Sequence, residues 1–257
     1  MTIPYYNEKR GVYLFPQGPK VFIGKGMSRD DFTKVEYADL SGLSKADYKS
    51  KTLWIWESRD EIPDAADLLA RFPDLENLAL SRDLIPFKKN GLDGLKSLYI
   101  SGFRNGNPAN RHENHLWLKE QIMPCVEFFK YLDRSHFADF AGLQPENLPN
   151  LKWIECDVDN KKDMLKLMEK FESVTALSVE ILCINGYRQE LDLGLLSGLQ
   201  LKEIQLLNCP KITNAEALLE MESLESLFVL SCKNALSAEL KLKLKEREFA
   251  HLDVDFT

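Results

Sequence analysis

The stretch ESLESLFVLSC, residues 222–232, repeats a phrase that occurs earlier in the chain as LKEIQLLNC, residues 201–209. In both copies two apolar residues flank one variable residue, and a cysteine follows three positions after the second apolar residue. The aligned residues are Ile204 with Leu227, Leu206 with Val229, and Cys209 with Cys232. Repetition at such an interval indicates a fold built from stacked copies of one structural unit.

The phrase recurs along most of the chain when its apolar positions are written L-x-x-L-x-x-L-x-L. Intervals between successive copies run from 18 to 31 residues, which indicates an irregular array. Measured at the third apolar position, ten copies stand at Val35, Leu53, Leu78, Leu98, Phe129, Ile154, Leu177, Ile204, Leu227 and Leu252.

The triplet L-x-L predicts a short strand, because alternate side chains of a strand point to the same face. One copy cannot bury that face alone, whereas stacked copies bury it continuously against parallel neighbours. The chain must then return, and four segments have helical spacing of apolar residues. These predicted helical returns are IPDAADLLARF (62–72), KDMLKLMEKF (162–171), ITNAEALLEM (212–221) and SAELKLKLKERE (237–248).

A period in the twenties built on L-x-L resembles the leucine-rich-repeat family, from about residue 30 to the end. The segment NCPKITNAEALLEM, residues 208–221, resembles the cysteine-containing variety of that family. The resemblance implies an α/β solenoid of about ten strands, with a concave parallel sheet and convex helices. It also implies protein recognition, and a bacterial immunity protein that shields the basic active site of a toxin is one analogue.

Two segments fall outside the repeats. Residues 1–27 contain GVYLF and KVFIG around a turn, which predicts two short strands and an N-terminal cap on a solenoid spanning 28–257. Residues 103–121 are polar, contain Trp117, and predict an insertion loop, which is either part of a binding site or a solvated excursion.

Composition restricts the class of protein. The chain has 257 residues, 44% hydrophobic and 28% charged, as globular proteins do. A net charge of −7 argues against a general binder of nucleic acid or anionic membranes. The first residues lack a secretory signal, and the five cysteines include no C-x-x-C pair. We therefore expect a cytoplasmic protein, monomeric when free.

Catalytic and metal motifs are not found in the sequence. His112 and His115 lie in RHENH, which is not the H-E-x-x-H zinc motif, and GKG at 24–26 is not a phosphate-binding loop. No G-x-S-x-G occurs. The sequence therefore predicts no enzyme, no catalytic residue, no metal and no cofactor; two solvated loop histidines are the simpler interpretation.

The residues before, between and after the two apolar positions of each strand must point away from the core, and we call them the outer face. Of these thirty positions seven are acidic, two are lysine and six are aromatic. Aromatic residues anchor interfaces, and carboxylates steer basic partners. The predicted partner-binding residues are Trp54, Trp56, Tyr99, Phe128, Trp153, Glu155, Asp157, Glu180, Glu203, Phe228, Asp253 and Asp255.

Three functions remain open from the sequence. The first is a binding module that captures a basic protein on its outer face, as an inhibitor or immunity protein. The second is an adaptor or assembly subunit that uses the convex face or the solenoid ends. An enzyme with a site in residues 103–121 is the third. The aromatic residues could also pack against the cap or the insertion loop instead of a partner.

Overall fold

The computed structural model describes residues 5–7, 12–14, 20–23, 34–37, 45–55, 71–81, 93–101, 121–132, 143–156, 158, 160–172, 179–232 and 236–254. The chain forms two compact units. The first unit contains Met1–Tyr6 and Tyr13–Asn150, and the second contains Asn7–Val12 and Leu151–Thr257. Parallel strands dominate both units, and α-helices accompany them in the second, so the protein belongs to the α/β class.

The sheet of the first unit consists of parallel strands in the order β4-β3-β5-β6-β7-β8. Short 3-10 turns occur at Asp47–Lys49 and Pro145–Asn147. Near the amino terminus, β1 and β2 form a separate two-stranded sheet. The strands are β1 (Tyr5–Asn7), β2 (Val12–Leu14), β3 (Lys20–Ile23), β4 (Lys34–Tyr37), β5 (Thr52–Ile55), β6 (Asn77–Ser81), β7 (Ser97–Ser101) and β8 (Phe128–Leu132).

Apolar residues of the repeat align across this sheet. Leu53, Leu78, Leu98 and Phe129 pair in one register row, and each is at most 1% exposed. Each such side chain contributes roughly 1.5–3 kcal/mol relative to exposure. The face that carries this row, which we call the inner face, is therefore the one packed on the core.

The strand KVFIG predicted near the amino terminus forms as β3, but it does not pair with the strand of GVYLF, which is β2. Instead β3 lies between β4 and β5, with Val21 in register with Val35 and Leu53. Both predicted strands form, and β3 suits its position because Val21 and Ile23 alternate with the same period as the inner-row residues of the repeats.

The second unit has a parallel sheet in the order β9-β10-β12-β14-β15. A second, two-stranded parallel sheet pairs β11 with β13. The strands are β9 (Trp153–Cys156), β10 (Ile181–Asn185), β11 (Leu191–Asp192), β12 (Glu203–Leu207), β13 (Ile212–Thr213), β14 (Ser226–Leu230) and β15 (His251–Val254).

One predicted strand of this unit falls mostly outside the described residues. The copy at Leu177 predicts a strand over 176–180, of which 176–178 are not described, and the strand that pairs with β9 and β12 is β10. Leu182 fills the inner row beside Ile154 and Ile204, and all three are 0% exposed. Leu182-Cys183-Ile184 is itself an L-x-L-type triplet, so the apolar pattern could not distinguish the two registers.

Helices occupy the returns of the second unit. They are α1 (Lys161–Glu172), α2 (Ala217–Glu220) and α3 (Ala238–Glu246), and a 3-10 turn spans Leu193–Leu196. Helices α1 and α3 lie where the sequence predicts them, and the Ser237 hydroxyl caps α3 by accepting from the Leu240 amide at 3.1 Å.

Helix α2 is shorter than predicted, because Ile212 and Thr213 form β13 and Asn214 adopts a left-handed φ of 51°. A residue in that conformation cannot continue a helix. The predicted helix at 62–72 lies outside the described residues, apart from its last two positions. No helix in the described ranges has the length and apolar character needed to cross a membrane.

Candidate functional site

The candidate site is the outer face of the second unit's sheet, where parallel pairing assembles residues from distant repeats. Two register rows cross this face. One contains Trp153, Ile181, Glu203, Ser226 and His251, and the other contains Glu155, Cys183, Gln205, Phe228 and Asp253. The sheet therefore places five predicted partner-binding residues, Trp153, Glu155, Glu203, Phe228 and Asp253, on one surface.

Most of these side chains are not open to water, contrary to the sequence-based expectation. Trp153 is 4% exposed, Glu155 2%, Glu203 7% and Phe228 2%; in the first unit Phe128 is 9% exposed. Strand alternation predicts the direction of a side chain but not what packs above it. The protein buries these positions of the outer face as well as the inner face, so the expectation of exposure is wrong for these five residues.

Few of the predicted partner-binding residues are accessible to solvent among those that the structure describes. Asp253 and Tyr99 are half-buried. The side chain of Glu180 is 47% exposed, and its carboxylate contacts Lys202 Nζ at 3.2 Å. Glu180 lies directly before β10, whereas the sequence predicted it at the end of a strand. The side chain of Trp54 and the residues Trp56, Asp157 and Asp255 lie outside the described residues.

The buried carboxylates of the second unit lie in hydrogen-bonded chains. Glu203 Oε1 accepts from Gln205 Nε2 at 2.5 Å. Glu155 Oε1 accepts from Asn185 Nδ2 at 3.4 Å, and Asn185 Oδ1 in turn accepts from Asn208 Nδ2 at 3.1 Å. Buried polar groups need such partners, because an unsatisfied one costs about 1–3 kcal/mol. These amide donors explain how acidic side chains are accommodated at low exposure.

The aromatic ring of Tyr99 has a cationic partner, Lys130, on the neighbouring strand of the first unit. Lys130 Nζ lies 5.1 Å from the centre of the Tyr99 ring, and the two residues are opposite each other in register. A cation over an aromatic face is attracted by the ring quadrupole. At Tyr99 and Lys130 the outer face of the first unit therefore carries a positive charge, whereas the outer face of the second unit carries carboxylates.

A turn signature that the sequence reasoning missed follows three strands of the second unit. Gly186, Asn208 and Ser231 come directly after β10, β12 and β14, and their φ angles are 71°, 55° and 55°. Tyr187, Cys209 and Cys232 follow them and are buried. Glycine and asparagine adopt left-handed φ most readily, so the dipeptides Gly-Tyr and Asn-Cys were the available signal.

The two turn cysteines make equivalent hydrogen bonds. Cys209 Sγ lies 3.7 Å from the carbonyl oxygen of Ile184 on the preceding strand and 3.4 Å from that of Leu207. Cys232 Sγ makes the same contacts one repeat later, at 3.4 Å and 3.3 Å. It also accepts from the Cys209 amide at 3.2 Å. The thiols thus connect successive turns and act structurally.

We predict that native protein reacts with iodoacetamide at Cys125 and not at the four other cysteines. Cys125 is exposed, whereas Cys156, Cys183, Cys209 and Cys232 are buried. The hydrogen bond with the Cys232 thiol, together with burial, raises the pKa of the Cys209 thiol far above its ordinary value, and only thiolates react. Intact-mass analysis should show one adduct in buffer and five in urea; adducts at Cys209 or Cys232 in buffer would contradict the structural role.

Metal-ligating side chains are dispersed in the described ranges, where no group of three or more His, Cys, Asp or Glu is placed to hold an ion. His112, His115 and Trp117 belong to the insertion at 103–121, which lies outside those ranges except for Gln121.

No protein-family model, no curated protein and no solved structure matches this chain.

Proposed function

We propose that the chain is a leucine-rich-repeat solenoid, with the sheet on its concave side and the helices on its convex side. Inner-row residues recur at Ile154, Leu182, Ile204 and Leu227 with consistent register, which supports the proposal. The left-handed residue and buried side chain after β10, β12 and β14 support it further, because a recurring turn is what identical stacked units require.

The function proposed for this solenoid is non-catalytic binding of a basic protein. The supporting observation is the register that gathers Trp153, Glu155, Glu203, Phe228 and Asp253 on one sheet face. Because Glu155 and Glu203 are buried, the carboxylates that a partner meets first are those of Asp253 and Glu180. Accessible carboxylates raise the rate at which a basic partner arrives.

A module of this kind acts by occupying its partner, so inhibition is the activity we infer. In the cytoplasm a monomer of this type could cover the basic site of a toxin, as an immunity protein does. Acidic net charge supports such pairing, since the chain carries 40 Asp and Glu against 33 Lys and Arg.

Neutralising two accessible charges tests this proposal. The variant Glu180→Gln with Asp253→Asn should bind a partner, first isolated from native lysate at low ionic strength, with an association rate constant roughly 3-fold lower and a weaker salt dependence. Surface plasmon resonance at several salt concentrations measures both. The control variant Glu222→Gln with Glu246→Gln makes the same charge change at two exposed positions away from this face. Equal rates for both variants would refute the proposed steering.

A second candidate, an adaptor that assembles through the last repeat, is favoured by a specific observation. Leu252 is half-buried, although its register neighbour Leu227 is 0% exposed, and Leu242 on α3 is 59% exposed. Under this alternative Leu242→Ser would abolish assembly, and Glu180→Gln with Asp253→Asn would leave assembly intact. Size-exclusion chromatography of the captured complex distinguishes the two functions.

A further inference from the structure

Residues that directly precede the strands alternate in charge along each sheet. In the first unit, Lys51, Glu76, Lys96 and Glu127 stand before or at the entry of β5, β6, β7 and β8. In the second unit, Lys152, Glu180, Lys202 and Glu225 stand in the same place before β9, β10, β12 and β14. We call these two sets the charge ladders.

Backbone hydrogen bonds hold the members of the first ladder on adjacent rungs. The amides of Glu76 and Asn77 both donate to the carbonyl oxygen of Lys51, at 3.0 and 2.9 Å. The same double hydrogen bond recurs at Lys96 and at Glu127, each time to the carbonyl of the preceding ladder residue. Adjacent parallel strands are about 4.8 Å apart, so each charge lies beside its neighbours along the ladder.

The second ladder is built in the same way. The amides of Glu180, Lys202 and Glu225, and those of the residues that follow them, donate to the carbonyl oxygen of the preceding ladder residue at 2.8–3.1 Å. Six repetitions of one double hydrogen bond in two units show that the position before each strand is structurally equivalent throughout.

Side chains on the ladders form ion pairs between rungs. The Glu76 carboxylate contacts Lys51 Nζ at 2.7 Å and Lys96 Nζ at 3.1 Å, and its side chain is 16% exposed. In the second unit Lys202 Nζ contacts Glu180 at 3.2 Å. The hydrogen bond and the charge of Glu76 raise the pKa of the Lys51 ammonium above its ordinary value. One glutamate therefore connects two lysines of flanking strands.

We infer that the ladders discriminate between correct and incorrect stacking of the strands. Alternation places unlike charges together whenever a strand pairs with its immediate successor. If one repeat were skipped, a strand would pair with its second neighbour, and Lys51 would meet Lys96 or Glu180 would meet Glu225. Like charges opposite each other destabilise a sheet, so the ladders penalise this error specifically. Without the charges, the similar apolar rows of successive strands would allow a strand to pair with its second neighbour.

The amino-terminal strands provide an independent observation. The residues before β3 and β4 are Pro19 and Thr33, which carry no charge. In this part of the sheet alone, among the strands that the structure describes, spatial order departs from chain order, since β3 lies between β4 and β5. This departure from chain order therefore occurs beside neutral positions, while every described strand preceded by a charged ladder residue follows the chain; β15, preceded by the neutral Ala250, also follows it.

The test compares one variant with a neutral control and with an inverted ladder. Glu76→Lys places a lysine between Lys51 and Lys96. The correctly ordered sheet then contains like-charge contacts of the kind that a skipped repeat would create. At low ionic strength the variant should lower the ratio of folded to unfolded protein by a factor on the order of 5–30. Most of this loss should disappear in 1 M NaCl, where the screening length falls to about 3 Å. Urea titrations followed by circular dichroism measure the ratio.

Two further variants separate the alternation from ordinary ion pairing. Glu76→Gln removes only the attraction and should cost less than about a factor of 5, because ion pairs with solvent-exposed lysines such as Lys51 and Lys96 contribute little. Inverting the first ladder with Lys51→Glu, Glu76→Lys, Lys96→Glu and Glu127→Lys restores alternation and should recover stability to within about a factor of 5 of the parent. Equal losses for Glu76→Lys and Glu76→Gln, or no recovery on inversion, would overturn the inference.

Discussion

Replacing Phe228 with alanine is expected to lower the free energy of unfolding by about 3–5 kcal/mol, the loss typical of a buried phenylalanine. Phe228 lies on the outer face of β14, yet it is only 2% exposed. Its register neighbours on β12 and β15 are Gln205 and Asp253. Truncation would leave a cavity, because the residues around a buried side chain relax only partially. Urea denaturation followed by circular dichroism measures the change.

His251→Ala is the matched control for this prediction. His251 lies on the same outer face, on the adjacent strand β15, but it is exposed. A surface substitution of this kind should change the free energy of unfolding by at most about 0.5 kcal/mol. A loss below about 1 kcal/mol in Phe228→Ala, similar to that of the control, would mean that the outer face is open in solution.

Replacing Arg247 with alanine should lower the free energy of unfolding by about 3 kcal/mol, because hydrogen bonds to charged donors contribute about 1.5–3 kcal/mol each and are not additive. The Arg247 guanidinium follows α3 and donates to the carbonyl oxygens of Leu218 at 2.8 Å and Leu224 at 3.0 Å, and also to that of Met221. It lies 4.9 Å from the centre of the Phe249 ring. These carbonyls belong to the end of α2 and the segment leading to β14.

Arg247→Lys distinguishes the guanidinium geometry from its charge. Lysine keeps the charge but not the planar arrangement of donors, so it should recover less than half of the loss. Arg188→Ala, at an exposed arginine of the same unit, is the control and should be nearly neutral. Hydrogen exchange of the amides in residues 217–224 should increase in Arg247→Ala and not in the control. Unchanged exchange there would show that Arg247 does not hold the last two repeats together.

The stability prediction for Phe228 affects how the proposed binding function should be tested. If Phe228 supports the sheet, a Phe228→Ala variant that loses partner binding has lost it through unfolding, not through a missing contact. The accessible residues Glu180 and Asp253 are better probes of binding, since their replacement by Gln and Asn leaves the buried rows in place and puts no like charge into the second ladder. Binding and stability can therefore be separated by the choice of residue.

The repeat pattern was sufficient for much of the fold. Nine of the ten predicted inner positions lie in strands and in register with a neighbour: Val35, Leu53, Leu78, Leu98, Phe129, Ile154, Ile204, Leu227 and Leu252. The tenth, Leu177, lies outside the described residues, and Leu182, which begins a similar apolar triplet, fills the inner row between Ile154 and Ile204. Local alternation is identical for the two, and only pairing with β9 and β12 selects Leu182.

The candidate site was predictable to a smaller extent. Sequence alternation placed Trp153, Glu155 and Phe228 on the face opposite the core, and the register places them there. Their low exposure could not be read from alternation, which depends on the strand alone, whereas burial depends on everything that packs above the strand. The position of β3 between β4 and β5 is a second example, because strand order depends on contacts remote in the chain.

By itself the sequence determined most of the residues that form the inner rows, and that the strands run parallel, since a two-residue alternation repeated at intervals in the twenties can bury its leucines only by stacking. Tertiary structure alone decided the register of β10, the position of β3 between β4 and β5, and the burial of Glu155 and Phe228 on the outer face. The physical reason is that periodicity is a local property of the chain, whereas pairing partners and solvent exposure are set by residues far away in sequence.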